Sequence, residues 1–388
     1  MKDVIFINSH PIQYFAPMYK YMNQHGVITK AWYCSDVSIK GGFDKQFGVD
    51  VKWDIPLLEG YEFKFFKNYS WKPSHSYGFF GLINFEIIAQ IFRIPKSVVI
   101  VHGWNYLTHF LVILLAGFKG HTVCLRCEMP LNQELKKTGM KMLLKKILLR
   151  YFVFPRLDYF LYIGTQNRLF YKSFNVDDKQ LIFCPYSVDD IRFRAENKLI
   201  KNQLPALRTK FGIPANGKII LYSGKYMSKK RPLDLLTAFK KLNNEKCWLV
   251  MVGEGELRKE MEDYISKNNL HNVLLTGFIN QSQVSEYYAI SDVFVMCSTI
   301  GETWGLSVNE AMNFGLPIVI SDMTGCAGDL VLNGDNGYVF ETGNTDELAA
   351  RLHDILIANK LSLKTKPEDI IDKHSYATVT EGIKQLIK

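Results

Sequence analysis

Short apolar runs rich in β-branched residues alternate along the whole chain with longer stretches of helical periodicity, a pattern that predicts parallel strands joined by helical crossovers. In the first half the predicted strands are Val4–Ile7, Thr29–Tyr33, Ser97–Val101, Thr122–Arg126 and Tyr159–Ile163, with Leu181–Cys184 as a sixth. In the second half they are Lys218–Tyr222, Cys247–Val252, Val273–Thr276, Val293–Met296, Pro317–Ser321 and Gly337–Phe340. The expected fold class is therefore α/β, with two doubly wound, Rossmann-like domains. A chain of 388 residues exceeds one ordinary core and fits two. The strand pattern breaks over Arg192–Gly212, so residues 1–195 are expected to form an N-terminal domain and residues 206–374 a C-terminal one. Residues 375–388 read as a helix that packs back on the first domain. Ligands of such domains are expected at the carboxyl ends of the strands, hence in the cleft the two domains make.

Composition narrows the setting. Hydrophobic content of 47% with 22% charged residues is globular, and the longest apolar run, Phe110–Phe118, falls short of the roughly 18 residues a spanning helix needs. Met1 to Asn8 goes directly into a motif and reads as a first strand instead of a signal peptide. The odd set of seven scattered cysteines fits a reducing, cytoplasmic compartment. Cys124 and Cys127 have C-x-x-C spacing, but on a strand positions three apart point to opposite faces. The net charge of +9 calls for an anionic partner. It is concentrated in residues 136–156, where seven basic residues (Lys136, Lys137, Lys141, Lys145, Lys146, Arg150, Arg156) occur without an acidic one.

On a helix over Met140–Val153, at about 100° per residue, Met140, Leu143, Leu144, Ile147 and Tyr151 share the face expected to meet the core. Met142, Leu149 and Val153 fall opposite, flanked by Lys141, Lys145, Lys146 and Arg150. Apolar residues rimmed by such cations suit an anionic membrane surface. A basic face turned to solvent, or a helix covered on both sides, is the alternative. No recognised nucleic-acid module surrounds the segment, so nucleic acid is not expected as a partner.

The candidate chemistry is densest in Gly301-Glu-Thr-Trp-Gly-Leu-Ser-Val-Asn-Glu-Ala-Met-Asn-Phe-Gly-Leu-Pro317. Glu302 precedes a predicted helix start and Glu310 lies inside it, with free backbone N–H groups between them. Two acceptors around an anion pocket suit a ligand that is part phosphate and part polyol, such as a nucleotide sugar. Glu310 has a structural competitor, because Ser307-Val-Asn-Glu310 also matches a capping box. Glu302 has none. After the strand ending at Tyr222, the loop Ser223-Gly-Lys-Tyr-Met-Ser-Lys-Lys-Arg-Pro232 carries Gly224 for a tight turn and Lys225 and Lys230 as cations able to neutralise a diphosphate. It reads equally as a solvated basic loop. The Walker spacing and the Gly-x-Gly-x-x-Gly fingerprint are both absent.

Taken in order, these features resemble the retaining glycosyltransferases of family 4, of GT-B architecture, most strongly over residues 219–340. Glu302 and Glu310 match the family's Glu-x7-Glu signature, and Gly224-Lys225 with Lys230 match its basic loop. Val252-Gly-Glu-Gly255, Thr276-Gly-Phe278 and Asp329 ahead of Asn336-Gly337 look like further landmarks. The resemblance implies that Glu302 bonds donor-sugar hydroxyls, Glu310 the ribose diol, and Lys225 with Lys230 the diphosphate. It implies backbone amides from Trp304, Gly305 and Leu306, and a base beside Phe278 or Ile279. Ser9-His-Pro-Ile-Gln-Tyr-Phe-Ala-Pro17 looks like the opening of one branch of the family and makes His10 a candidate; a histidine fixing its own loop is the other reading. His102 ends the strand Ser97–Val101 and is a second candidate. Where the family often has a histidine on the next strand this chain has Arg126 and Glu128, which become the acceptor-side candidates. Tyr186-Ser-Val-Asp189 looks like the loop before the linker, with Asp189 structural.

The implied activity is retaining, metal-independent transfer of a hexose-type sugar from a nucleoside diphosphate, uridine first, to a lipid-linked saccharide in surface polysaccharide or lipopolysaccharide assembly. No cofactor or metal is expected, since no Asp-x-Asp cluster is present. A nucleotide-sugar epimerase on the same architecture, or a non-catalytic sugar-nucleotide sensor, are the alternatives. The expected location is cytoplasmic, peripheral on the inner face of a membrane.

Overall fold

The computed structural model describes residues 2–44 and 46–387 and, for Phe43, the backbone alone; the outermost expected domain limits, 1 and 388, lie just outside. The strands are β1 (Val4–Asn8), β2 (Thr29–Tyr33), β3 (Gly42–Asp44), β4 (Val49–Val51), β5 (Glu62–Phe65), β6 (Val98–His102), β7 (Thr122–Arg126), β8 (Tyr159–Tyr162) and β9 (Leu181–Phe183) in the first half. The second half has β10 (Lys218–Ser223), β11 (Cys247–Val252), β12 (Val273–Leu275), β13 (Val293–Met296), β14 (Ile318–Ser321) and β15 (Gly337–Phe340). One sheet of seven strands runs β5-β2-β1-β6-β7-β8-β9, a second of six runs β12-β11-β10-β13-β14-β15, and β3 pairs with β4. The recorded pairings within both large sheets are parallel.

Parallel sheets are covered on both faces, so their strands are continuous apolar runs. β1, with every residue buried, and β13, likewise, show why those runs were legible. β5 was not, because Glu62-Phe-Lys-Phe65 is a largely exposed edge strand with charged residues alternating with aromatics.

The chain divides into two compact units. The first comprises Met1–Gly42, Ile55–Ser187 and Ser375–Lys388; the second comprises Phe43–Asp54 and Val188–His374. The division falls at Ser187, ahead of the stretch expected from the broken strand pattern, and residues 43–54 belong with the second unit. Asp189 caps the helix Asp190–Ile200 by accepting from the Arg192 N–H at 3.0 Å, so that helix begins the second unit where the sequence suggested a linker. In the first unit the terminal helix Tyr376–Lys384 is held by Tyr376, whose hydroxyl donates to the Tyr14 carbonyl.

The basic segment differs most from expectation. The α-helix spans Met140–Leu148 and passes into a π-helical turn, Leu149–Val153. Leu149 and Val153, expected outside, are fully buried, whereas Met140, Leu143, Leu144, Ile147 and Tyr151, expected inside, are exposed. The 100° step groups the residues of each face as observed, but the segment has two apolar faces, and periodicity alone does not say which of them is buried. No helix among the described residues is long and apolar enough to cross a membrane.

Candidate active site

The second unit's strand order reverses between β10 and β13, which makes their carboxyl ends a topological switch point, the place where α/β sheets bind ligands. Both acidic and basic candidates converge there. The loop after β10 meets the turn after β13 through the Thr299 N–H, which donates to the Lys229 carbonyl at 2.8 Å. Above this contact the Lys230 ammonium donates to the Glu302 carboxylate, which also accepts from the Ser298 hydroxyl at 3.2 Å. Only 18% and 13% of the two side chains is exposed, so the pair is partly desolvated and each ion depends on the other or on a replacement of the same charge.

The turn that carries Glu302 is fixed from behind. The Gly325 N–H donates to the Glu302 carbonyl at 3.1 Å and the Cys326 N–H to that of Trp304 at 3.1 Å. A Cβ on Gly325 would stand 1.9 Å from the Thr303 carbonyl oxygen, so only glycine allows this approach. The sequence singled out neither residue. Gly305, at φ +108°, precedes the helix Leu306–Met312, and the buried Trp304 indole donates to Asn309 at 2.8 Å.

Glu310 is not part of a capping box. The helix is capped at Gly305 without a side-chain bond, which leaves Ser307 inside the helix and Glu310 in its second turn. The Glu310 side chain is buried, accepting from the Tyr288 hydroxyl at 2.7 Å and from the Gln281 amide at 3.4 Å. Gln281 is in turn held by the Arg192 guanidinium at 2.8 Å.

Lys225 lies on the same loop. Its ammonium donates to both Asp44 oxygens, at 3.1 and 3.0 Å, and to the Gln46 side chain at 3.0 Å, and sits 4.3 Å above the Phe47 ring. Burial pushes its pKa below the ordinary lysine value; Asp44 pulls it up, while Lys229 and Lys230 push it down again. The desolvation of the ammonium thus outweighs the carboxylate that pairs with it. Phe278 and Ile279 are half-buried, with Phe47 edge-on to Phe278 at 5.0 Å and Trp53 at 6.2 Å. No motif marked residues 43–54, so the sequence reading missed Asp44, Phe47 and Trp53. Nor does Gly224 adopt a left-handed conformation; the close approach belongs to Gly253, where a Cβ would meet the Gly224 carbonyl oxygen at 1.9 Å.

The first unit has its own switch point, between β1 and β6. His10 follows β1; its Nδ1 is 3.0 Å from the Ser9 hydroxyl and its ring is 4.4 Å from that of His75. Burial, aided by His75, lowers its pKa to about 4. His102 ends β6 against the Phe15 ring, and its buried Nε2 has no hydrogen-bond partner among the described residues. Burial first, then Arg126 and His109, hold it well below the usual histidine range. Arg126 is buried between the Phe15 and Tyr186 rings and donates to the Cys184 and Pro185 carbonyls at 3.0 and 3.3 Å. Those bonds turn the guanidinium into the scaffold. Glu128 is half-buried just beyond β7. All seven cysteines are buried free thiols. Among the described residues no cluster of three His, Cys, Asp or Glu side chains could hold a metal ion.

Residues 205–370 match the family model of glycosyl transferases group 1. Over 161 residues the chain is 31% identical to the N-acetyl-alpha-D-glucosaminyl L-malate synthase of Bacillus anthracis, covering 40% of this chain and 41% of that one. Over 210 residues it is 24% identical to the lipopolysaccharide core biosynthesis glycosyltransferase LpsE of Rhizobium meliloti, covering 52% and 60%. The chain thus spans about half the length of these curated relatives. Among solved structures, Anabaena Alr3699/HepE in complex with UDP and glucose aligns over 100% of this chain and 99% of its own, with a TM-score of 0.72 at 16% identity. The fold is the two-domain GT-B fold, and residues 205–370 are similar to group 1 glycosyl transferases.

Proposed function

We propose that this protein is a retaining glycosyltransferase that moves a sugar from a nucleoside diphosphate sugar, UDP-linked first, to a lipid-linked saccharide in surface polysaccharide or lipopolysaccharide assembly. The observation that carries this reading is the Lys230–Glu302 ion pair at the second unit's switch point, with Lys225, paired to Asp44, on the same loop. Without donor, Lys230 and Glu302 satisfy one another. A nucleotide sugar replaces both partners at once: its diphosphate takes Lys230 and Lys225, and its sugar hydroxyls take the carboxylate that Lys230 releases. Glu310, oriented by Tyr288 and Gln281, receives the ribose diol.

As the glycosidic bond breaks, negative charge grows on the leaving diphosphate, where two ammonium groups stabilise it more than they stabilise the ground state. The departing phosphate accepts the acceptor hydroxyl proton on the same face, which retains the anomeric configuration. The lysines supply the charge that a divalent ion otherwise would, so the reaction is metal-independent and survives chelation. The place of His102 at the carboxyl end of β6, beside the first unit's switch point, supports an acceptor-side contact from that unit. The UDP bound by the Anabaena neighbour and the lipopolysaccharide assignment of the Rhizobium relative support the donor and pathway class. Exposed apolar residues among the cations of segment 136–156 support attachment to an anionic membrane on its cytoplasmic face.

The test is to incubate the protein with radiolabelled UDP-sugars and a membrane lipid extract. Label should enter the lipid fraction with wild-type protein, with or without chelator, and should not with Glu302→Ala. An isomerised nucleotide sugar formed without any acceptor would overturn the transferase reading in favour of an epimerase.

A further inference from the structure

The first unit contains a cavity of about 400 Å³ beneath the helix Met140–Leu148 that the donor chemistry leaves unused. Its walls include Leu131, Leu135, Met142, Leu143, Phe170 and Phe174, and its volume lies in the range of small-molecule sites, roughly 300–1,000 Å³. The helix above it is anomalous. Six of its nine residues are apolar, yet it buries none of them. A helix of that composition is normally fixed by packing, so an additional apolar surface is needed to complete this one.

The charges on the rim identify that surface. Glu134, the acidic group in the lining, is neutralised by Lys137 and by Lys145 at 2.7 Å. Burial alone would raise the pKa of its carboxyl, but the two ammonium groups outweigh burial and hold it below the ordinary value. Lys146 and Arg150 line the cavity and Lys141 lies on the same helix, and none of the three has a carboxylate partner among the described residues. An apolar hollow with an unneutralised cationic rim matches one alkyl chain carrying an anionic phosphate head. The π-helical turn Leu149–Val153 contributes Leu149, Arg150 and Tyr151 to this lining, and such turns recur at functional sites.

We propose that this cavity seats one alkyl chain of an anionic bilayer phospholipid, with its phosphate at Lys146 and Arg150. The proposal deepens the membrane attachment put forward above, and it is independent of the donor site. Adsorption to a surface and insertion of one chain use different residues: Met140 and Leu144 are exposed and lie outside the cavity lining, whereas Ser173 is exposed and lines it.

Calorimetric titration with lauroyl lysophosphatidylglycerol below its micellar concentration reads the cavity, and co-sedimentation with phosphatidylglycerol vesicles reads the surface. Wild type should bind the lysolipid at least tenfold more tightly than dodecyl maltoside, and glycerol phosphate alone should not bind. Ser173→Trp, whose exposed position spares the fold, should weaken lysolipid binding tenfold or more while leaving UDP binding unchanged; Leu131→Trp obstructs the cavity from another wall. Met140→Glu with Leu144→Glu should weaken vesicle binding and leave the lysolipid bound. Lysolipid affinity unchanged in both tryptophan variants, or no binding in wild type, would overturn the proposal. So would a dimer that Leu144→Glu dissociates and that excludes the lysolipid, since that assigns the face to a second copy. Vesicle binding unchanged in the variant with Met140→Glu and Leu144→Glu would count against the surface reading alone.

Discussion

The two units present the same topological feature with opposite electrostatics. In the second, the switch point between β10 and β13 gathers two partly buried ion pairs, Lys230 with Glu302 and Lys225 with Asp44. In the first, the switch point between β1 and β6 offers His10 and His102, both kept uncharged by burial, while the nearby cation Arg126 is tied to backbone carbonyls. Sheet topology decides where a ligand can sit; the side chains decide what it can be. Ions already paired can be exchanged for an ionic ligand at low net cost, because the desolvation they require is already incurred. Neutral imidazoles can hydrogen-bond a hydroxyl without competing for the diphosphate.

That contrast is sharpest when the two sites are damaged separately. Lys230→Met should weaken UDP binding by about 10²-fold and reduce kcat/KM by about 10²–10³-fold, since it removes a cation that stabilises the leaving group. His102→Phe fills the same space without a ring nitrogen. It should lower kcat by about 10–10²-fold while calorimetry finds UDP affinity unchanged. Weaker UDP binding in His102→Phe would dissolve the division of labour between the two units.

Acid separates the units by stability. A histidine whose folded pKa lies below its unfolded value binds fewer protons when folded, so its contribution is complete above the unfolded pKa and declines as pH falls. For His10 the window is pH 6.5 down to about 4, and the same holds for His109. Each contributes a loss on the order of 1–3 kcal/mol across that window, and His102 shifts in the same direction. In the second unit His374 is the histidine so shifted. Hydrogen exchange at pH 4.5 should therefore show β1 and β6 opening before β10 and β13. The reverse order would mean that the imidazoles are not held neutral.

The sequence made the large sheets legible because buried parallel strands leave few polar residues to interrupt them; Cys247–Val252 was read with its observed limits. The spacing of Glu302 and Glu310 and the lysines after β10 were legible for a similar reason, since all lie within short segments next to strands. What escaped depends on long-range packing. The sequence leaves a cap open for Glu310 because Tyr288 and Gln281, which bond it, are 22 and 29 residues away. Arg126 gave no sign that it points inward, because its partners are carbonyls, which every residue has. The basic segment was read with the correct residues and the wrong face, since two apolar stripes compete and only burial decides between them.

Asp44 was the least visible, and it supplies the smallest and most discriminating test. Burial would raise its carboxyl pKa, but Lys225 and the backbone N–H groups of Phe47 and Gln46 bring it below the usual value. It therefore stands as an anion on a lysine assigned to diphosphate. If diphosphate replaces it there, Asp44→Asn removes a competitor and UDP should bind about 2–5-fold more tightly, an effect kept small because the pair is partly exposed and worth about 1 kcal/mol or less. The gain should shrink as salt rises, because screening weakens the competing ion pair first. Calorimetry of UDP binding at two salt concentrations measures both. Weaker binding in Asp44→Asn would show instead that the carboxylate positions Lys225 for the ligand, which would make the ion pair part of the assembled site in the second unit and not a placeholder in it.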